Sequence, residues 1–146
     1  MTQAFAGACQ KLRFAAEKEA ASLSPIAICS KLTKLGYDDR EIEEIKNCNE
    51  VFSSGNMPYV LMATLARLLL EEHSWDGKGS AQTYDAPSIT FKRPVLIELH
   101  HADHTTAALY ADIRQTLGLP FVNTDYRAFA RWPSYFNPAW TDLRSI

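Results

Sequence analysis

Apolar residues recur at steps of three and four along most of this chain, which is the spacing of one face of an α-helix. The pattern starts at Phe5 and predicts a first helix from about Thr2 to Ser22. Ser24 and Pro25 are a start signal for a second helix, and Gly36 is a natural residue for its end. A chain dominated by this period is predicted to be all-α.

The middle of the chain is predicted to contain two helices separated by a polar break. Asp38 or Asp39 can cap the first of them. Residues 53–56, Ser-Ser-Gly-Asn, interrupt the apolar pattern, and Asn56 is expected to cap a new helix from Met57 to about Glu72. We expect this helix to be the central one because it is strongly apolar, with Val60, Leu61, Leu65, Leu68 and Leu69.

The helical pattern is lost for a stretch after this helix. Trp75 to Pro87 is rich in glycine, serine and aspartate and predicts a surface loop. The apolar residues after this loop sit at odd positions, a period-2 pattern: Ile89, Phe91, Val95, Ile97 and Leu99. Pro94 argues against a strand there, so we predict one extended segment packed on the helices. Asp103 is then expected to cap a helix that Gly118 ends.

The C-terminal end is predicted to add two more helices. Asn123 is expected to cap a helix from Thr124 to Trp132 that Pro133 ends. A last helix follows, and Pro138 is expected to kink or delay it. The length suits one domain, so we predict a single helical domain over residues 1–146, with about six to seven helices and one extended segment.

The composition narrows the classes of partner and compartment. With 15 Lys and Arg against 17 Asp and Glu, the chain has no basic field for nucleic acid. Cys9, Cys29 and Cys48 form no CxxC pair, which argues against a disulfide framework and a zinc ribbon.

Charged residues interrupt the N-terminal segment where a signal peptide would be apolar. The longest uncharged run, Val51 to Ala66, is too short and too broken to span a bilayer. We predict a cytoplasmic protein with no nucleic-acid or membrane partner.

The first candidate site is the run Asn123, Thr124, Asp125 and Tyr126. A helix N-terminus presents free N–H groups and a positive partial charge, which together bind anions. An aspartate in that turn stays ionised in the same field and could accept a proton from water. The alternative is that Asp125 only matches the helix dipole, as acidic residues in a first turn commonly do.

Two further groups of polar residues are candidate sites. Asn56 and Tyr59 are three apart on an opening helical turn and could hydrogen-bond a carboxylate or a halide, or they could be a cap and a core-edge tyrosine. His100, His101 and His104 have spacings that could bind a metal if the stretch were helical. If Asp103 is a cap, however, His100 and His101 lie in a loop, so we predict no metal site.

Several blocks of this sequence resemble a known family of enzymes. They are residues 112–114 (Asp-Ile-Arg), 119–133 (Leu-Pro-Phe-Val-Asn-Thr-Asp-Tyr-Arg-Ala-Phe-Ala-Arg-Trp-Pro) and 140–143 (Trp-Thr-Asp-Leu). Upstream, residues 52–59 (Phe-Ser-Ser-Gly-Asn-Met-Pro-Tyr) look like a second signature of the same family. Together they resemble the repeat unit of the group I 2-haloacid dehalogenases (the DehI type), from Phe52 onward and more weakly before it.

The resemblance implies an all-helical fold and hydrolysis without a cofactor. In this family an aspartate activates a water that displaces halide from C2 with inversion and without a covalent ester. Both enantiomers of substrates such as 2-chloropropionate are accepted. By position Asp125 matches that aspartate and is the predicted catalytic residue. The predicted substrate- and halide-binding residues are Asn56, Tyr59, Asn123, Thr124 and Tyr126.

The family's longer enzymes carry two such units in tandem, whereas this chain carries one. We therefore expect a homodimer that resembles the pseudo-dimeric longer enzymes, with Asn56 and Tyr59 facing Asp125 within or across subunits. The alternative is a helical binding or interaction protein that keeps the dimeric scaffold without turnover. A metal-dependent helical protein using the three clustered histidines is a third hypothesis.

Overall fold

The computed structural model describes residues 2–24, 28–74 and 93–145, with the side chain of Cys29 excepted. Within these ranges the chain forms six α-helices and two short 3-10 turns, and no strand. The helices are α1 (Gln3–Ser22), α2 (Cys29–Leu32), α3 (Asp39–Leu70), α4 (His104–Leu117), α5 (Thr124–Phe129) and α6 (Pro133–Arg144). The all-α prediction is confirmed. The predicted loop at residues 75–87 lies outside the described residues.

Local signals place several helix ends as predicted. Asp38 Oδ1 accepts the Glu41 N–H at 2.7 Å, and the Glu41 carboxylate accepts the Asp38 N–H at 3.2 Å, which is a reciprocal capping box. Asp103 Oδ1 accepts the Thr106 N–H at 2.7 Å and caps α4. Gly36 and Gly118 end the second and fourth helical segments in the left-handed region, at φ values of 95° and 65°, which glycine adopts without strain.

The second helical segment is shorter than predicted. Its α-helical part covers only Cys29–Leu32 and continues as a 3-10 turn over Thr33–Leu35. Pro25, part of the predicted start signal, lies outside the described residues. The preceding Ser24 has a positive φ of 51°.

The predicted break at residues 53–56 is wrong, because α3 runs without interruption from Asp39 to Leu70. Asn56 is therefore an interior helix residue and not a cap. Serine, glycine and asparagine each disfavour a helix by about 1 kcal/mol or less, which contacts made elsewhere readily outweigh. One such contact is the hydrogen bond from Arg13 Nη1 to Ser54 Oγ at 2.9 Å. Pro58 also lies inside α3, where it removes one hydrogen bond from the helix.

The boundary between the last two helices also differs from the prediction. Helix α5 ends at Phe129 instead of reaching Trp132, and Pro133 is the first residue of α6. Trp132 lies between them at φ −123° and ψ 71° because a proline disfavours the α conformation of the residue before it. Proline suits the first helical position, whose N–H would be unpaired anyway. Pro138 lies inside α6 and does not delay its start.

The chain divides into two compact units. Unit 1 comprises Met1–Ser22 and Val51–Phe91, and unit 2 comprises Leu23–Glu50 and Lys92–Ile146, so that the division falls within α3. The prediction of a single domain over residues 1–146 stays a prediction. None of the described helices is long and apolar enough to cross a membrane.

Unit 2 contains the hydrophobic core. The residues at its centre are less than a tenth exposed and come from α4, α6 and the turn before α6: Tyr110, Ile113, Ala130, Phe136 and Trp140. Trp140 Nε1 donates to Asp112 Oδ2 at 2.7 Å, and Arg144 pairs with Asp112 Oδ1 at 2.7 Å, so one carboxylate of α4 holds two side chains of α6. The extended segment before α4 is confirmed over residues 93–98, and Ile97 packs against this core.

Unit 1 has no buried side chain among its described residues. Its described residues include α1 and the second half of α3, with the Arg13–Ser54 hydrogen bond between these helices. Several apolar residues of α3 in this unit are exposed: Val60 is 49% exposed, Leu65 38% and Leu69 62%. The prediction that this stretch is the central helix is therefore wrong, because none of its side chains is buried.

Candidate active site

Asp125 lies half-buried in the first turn of α5. Its Oδ1 accepts the N–H of Tyr126 at 3.0 Å. Asn123 occupies the N-cap position with extended backbone angles, but its exposed side chain makes no capping hydrogen bond. Because α5 has only six residues, few peptide dipoles add up at its N-terminus. The predicted helix-terminal field is therefore small, and the environment of Asp125 depends on neighbouring side chains.

Tyr126 anchors this turn in the core of unit 2. Its ring stacks on Phe136 with centroids 6.1 Å apart and meets Trp140 edge-on at 5.7 Å. Burial raises the pKa of the Tyr126 phenol, and the charge of Asp125 raises it further. The phenol is consequently neutral at physiological pH and keeps its proton beside the Asp125 carboxylate.

A buried thiol of α3 belongs to the same surroundings. Burial raises the pKa of Cys48 from its ordinary 9.0 to about 11, while Arg131 lowers it and Asp125 raises it. Asp125 and Arg131 therefore both lie within electrostatic range of this thiol. Arg131 stacks over the Trp132 ring at 4.7 Å and makes a 3.4 Å ion pair with Glu44 of α3. Cys48 is neutral at physiological pH because burial raises its pKa. Among Cys48, Asp125 and Arg131, the positive charge is therefore that of Arg131.

A second ion pair joins α5 to the extended segment. Arg127 Nη1 donates to both carboxylate oxygens of Glu98, at 2.8 and 2.7 Å. The Arg127 carbonyl accepts the N–H of Ile97 at 3.0 Å, and Tyr110 OH donates to the Ile97 carbonyl at 2.8 Å. Burial raises the pKa of Tyr110 to about 12, with Arg127 lowering it and Glu98 raising it. Sequence reasoning missed the pairing of Glu98 with Arg127, because the two residues are 29 positions apart.

Of the predicted substrate-binding residues, Asn123, Thr124 and Tyr126 lie together around Asp125 in unit 2. Asn56 and Tyr59 belong to unit 1, where both are exposed on α3 and Tyr59 is 69% exposed. Since α3 is helical there, the expected shared face of these two residues is confirmed. Their role as binding residues stays a prediction.

Two of the three histidines form a tilted pair of rings, and the third begins a helix. His100 and His101 lie in the 3-10 turn Leu99–His101, with ring centroids 4.0 Å apart, and His104 opens α4. All three are exposed. Within the described part of the chain, no group of three or more metal-ligating side chains comes together.

Comparison with curated proteins finds two similar enzymes. The chain is 48% identical to an (R)-2-haloacid dehalogenase of Rhizobium sp. (strain NHG3), over 99% of this chain and 57% of that protein. It is 40% identical to an (R)-2-haloacid dehalogenase of Pseudomonas putida, over 78% of this chain and 40% of that protein. No protein-family model matches the chain.

Solved structures give the same result. A D-2-haloacid dehalogenase mutant superposes with a TM-score of 0.87 at 35% identity, covering 99% of this chain and 51% of that one. A D-2-haloacid dehalogenase mutant in complex with D-2-CPA superposes with a TM-score of 0.85 at 34% identity, again covering 99% of this chain and 51% of that one. The chain thus spans about half the length of the relatives it matches. Identity and fold agree over nearly all of its residues, and the chain belongs to the family of these 2-haloacid dehalogenases.

Proposed function

We propose that this chain hydrolyses short 2-haloalkanoic acids to 2-hydroxy acids without a cofactor. The observation that carries the proposal is the 48% identity to an (R)-2-haloacid dehalogenase across 99% of the chain. Because the relatives are named for the (R) or D form, we expect the (R) enantiomer to be a substrate.

The proposed reaction is a single displacement at C2. Water attacks C2 as the carbon–halogen bond breaks, the halide leaves with the bonding electrons, and Asp125 takes the proton of the water. A half-buried carboxylate can act as such a base when it faces the attacking water. N–H and O–H donors stabilise the leaving halide and the substrate carboxylate. We assign this role to Asn56, Tyr59, Asn123, Thr124 and Tyr126.

We further propose that the chain acts as a homodimer in the cytoplasm. An exposed apolar stripe on α3 of unit 1 supports the homodimer, because large exposed apolar patches mark interaction surfaces. The stripe consists of four residues on one helix face: Tyr59, Met62, Leu65 and Leu69. The cytoplasmic location is supported by Cys9 and Cys48, which are both free thiols.

The test is halide release from D- and L-2-chloropropionate and from monochloroacetate, without added metal. We expect release from the D form, and a loss of about 100-fold to 10,000-fold in Asp125→Asn, the range for removing a general base. Asp39→Asn is the matched control, since Asp39 is an exposed aspartate in the first turn of another helix. Unchanged release in Asp125→Asn would show that another residue is the base.

A non-catalytic binding protein is the second candidate, favoured by the exposed apolar stripe of α3, which is typical of an interaction surface. Folded, dimeric protein that releases no halide from any of the three substrates would support it. Binding of 2-chloropropionate without turnover, measured by calorimetry, would then identify the retained ligand class.

A further inference from the structure

Arg131 follows the short helix of Asp125, and its guanidinium is contacted by two side chains. The guanidinium carbon lies 4.7 Å from the centroid of the Trp132 ring, which is itself 5% exposed. Nη2 donates to Glu44 Oε2 of α3 at 3.4 Å. The buried ring and the carboxylate together restrict where the charge of this long side chain can lie.

Much of the hydrogen-bonding capacity of this guanidinium is unused within the described part of the chain. A guanidinium has several N–H donors, and the described side chains accept from one of its nitrogens, Nη2. That bond is longer than the usual charge-assisted bond of about 2.7–2.9 Å. Glu44 also pairs with Arg40 through its other oxygen, at 3.4 Å. The Arg131 side chain is 34% exposed, so a small anion can reach its remaining N–H groups.

Arg131 and Asp125 both act on the same face of α3. Glu44 and Cys48 are four residues apart on this helix and therefore lie on one face of it. Arg131 bonds to Glu44. Burial raises the pKa of the Cys48 thiol, and beyond that Arg131 lowers this pKa and Asp125 raises it. The positive and the negative charge therefore both lie within electrostatic range of one buried atom.

The backbone between Asp125 and Arg131 sets the separation of the two residues. Helix α5 ends at Phe129, and the Ala130 N–H continues its hydrogen bonding by donating to the Tyr126 carbonyl at 3.1 Å. At about 1.5 Å per helical residue, six residues place the two Cα atoms about 9 Å apart. This separation leaves room between the two charges for a water and the first two carbons of a small acid.

We propose that Arg131 binds the carboxylate of the 2-haloacid substrate and so holds C2 in front of the water that Asp125 activates. This inference rests on the proposed function. A 2-haloacid is an anion at neutral pH, and Asp125 acts as a base only as a carboxylate, so the two repel each other. The five residues assigned to substrate binding supply amides and hydroxyls but no positive charge. Arg131 supplies that charge, and its planar guanidinium can donate two parallel hydrogen bonds to a carboxylate.

Substitution of Arg131 is expected to weaken substrate binding more than it slows the chemical step. Arg131→Gln should raise KM for D-2-chloropropionate by roughly 10-fold to 100-fold, because a charge-assisted hydrogen bond to the substrate is lost. It should change kcat little, because the carboxylate of the substrate carries the same charge before and during the displacement. Arg131→Lys keeps the charge without the planar fork, so it should recover part of the loss.

Two control variants separate binding from structural effects. Glu44→Gln breaks the same ion pair as Arg131→Gln but leaves the Arg131 cation in place, so its KM should stay at or below the wild-type value. Arg144→Gln removes another arginine of unit 2, one that pairs with Asp112 at 2.7 Å, and should leave KM unchanged.

The binding experiment is a calorimetric titration with propionate and with propionamide, which does not depend on turnover. Propionate has no halogen to release, and propionamide has nearly the same shape without the negative charge. Wild-type protein should bind propionate more tightly than propionamide. Arg131→Gln should lose affinity for propionate by the same factor as the rise in KM and keep its affinity for propionamide.

A loss of propionate affinity in Arg131→Gln that is absent from both controls would support the proposal. Equal losses in Arg131→Gln and Glu44→Gln would show that the ion pair only joins Arg131 to α3. That result would overturn the proposal, as would an unchanged affinity in Arg131→Gln or a wild type that binds no propionate. A wild type that binds propionate through Arg131 but releases no halide would count against the proposed function and not against this inference.

Discussion

The two units of this chain share a helical, apolar sequence pattern and differ in what they bury. Unit 2 encloses Tyr110, Ile113, Phe136 and Trp140 at 4% exposure or less. Unit 1 buries none of its described side chains, although α3 contributes a run of large apolar residues to it. An apolar face thus shows which side of a helix favours burial, but not whether the same chain supplies the surface that covers it.

The difference in burial between the two units follows from the side-chain contacts that each unit makes internally. In unit 2, aromatic rings from α5 and α6 meet at centroid distances of 5.7–6.1 Å, and such pairs add about 0.5–1.5 kcal/mol each beyond their burial. Two polar side chains of α6 also share the Asp112 carboxylate. The described residues of unit 1 form parts of two helices, α1 and α3, and none of the ring contacts or buried side chains described above lies on these parts.

The largest expected effect is on the core of unit 2. Trp140→Ala removes a 3%-exposed indole and its bond to Asp112, and should lower the free energy of unfolding by about 3–5 kcal/mol. Urea unfolding followed by circular dichroism measures this loss. Phe14→Ala in unit 1 is the control, since Phe14 is 71% exposed, and it should change stability by about 0.5 kcal/mol or less. Equal losses in both variants would remove the contrast between the units.

The next largest effect is expected on the exposed apolar stripe of unit 1, which we propose as the homodimer interface. Met62→Glu places a charge in the exposed apolar stripe and should weaken the proposed homodimer by tenfold or more in Kd, which corresponds to about 1.4 kcal/mol. Sedimentation velocity over a dilution series measures this change. Tyr59 belongs both to the stripe and to the proposed site. The rate of halide release should therefore decrease in Met62→Glu as the dimer dissociates.

Val60→Glu is the matched control for the stripe. Met62 and Val60 are 48% and 49% exposed, but two residues lie about 200° apart around a helix, so Val60 points away from the stripe. The control should leave the dimer intact. Dissociation by both variants would place the interface elsewhere, and a monomeric wild type would contradict the homodimer proposal.

The smallest expected effect compares a thiol in each unit. Cys48 of unit 2 is buried with its pKa raised to about 11, whereas Cys9 of unit 1 is half-buried. Native protein at pH 8 should therefore be alkylated by iodoacetamide at Cys9 well before Cys48, since the thiolate is the nucleophile. Site-resolved mass spectrometry measures both rates. Faster labelling of Cys48 would show that the core of unit 2 opens readily.

The same thiol gives a pH dependence of stability. The folded-state pKa of Cys48 is raised above its unfolded value of 9.0, so the native state holds the proton more tightly. The stability from this group is complete below pH 9 and is lost as the pH rises to about 11. Cys48→Ala should make the stability less dependent on pH across that window.

The sequence by itself determined the features whose signals are local. The caps at Asp38 and Asp103 and the left-handed ends at Gly36 and Gly118 were predicted because each signal acts within one helical turn. The turn around Asp125 was likewise recognisable, since its residues are contiguous in the chain. The all-α class followed from the period of the apolar residues alone.

Only the tertiary structure decided what depends on distant residues. Helix α3 continues through residues 53–56 because contacts made elsewhere in the fold outweigh a weak local propensity. Whether its apolar face is covered depends on surfaces that no helical period describes. The pairing of Glu98 with Arg127 joins residues 29 positions apart, and such a contact leaves no periodic trace in a single sequence. Local signals act within a turn, whereas burial and ion pairing depend on which segments the fold brings together.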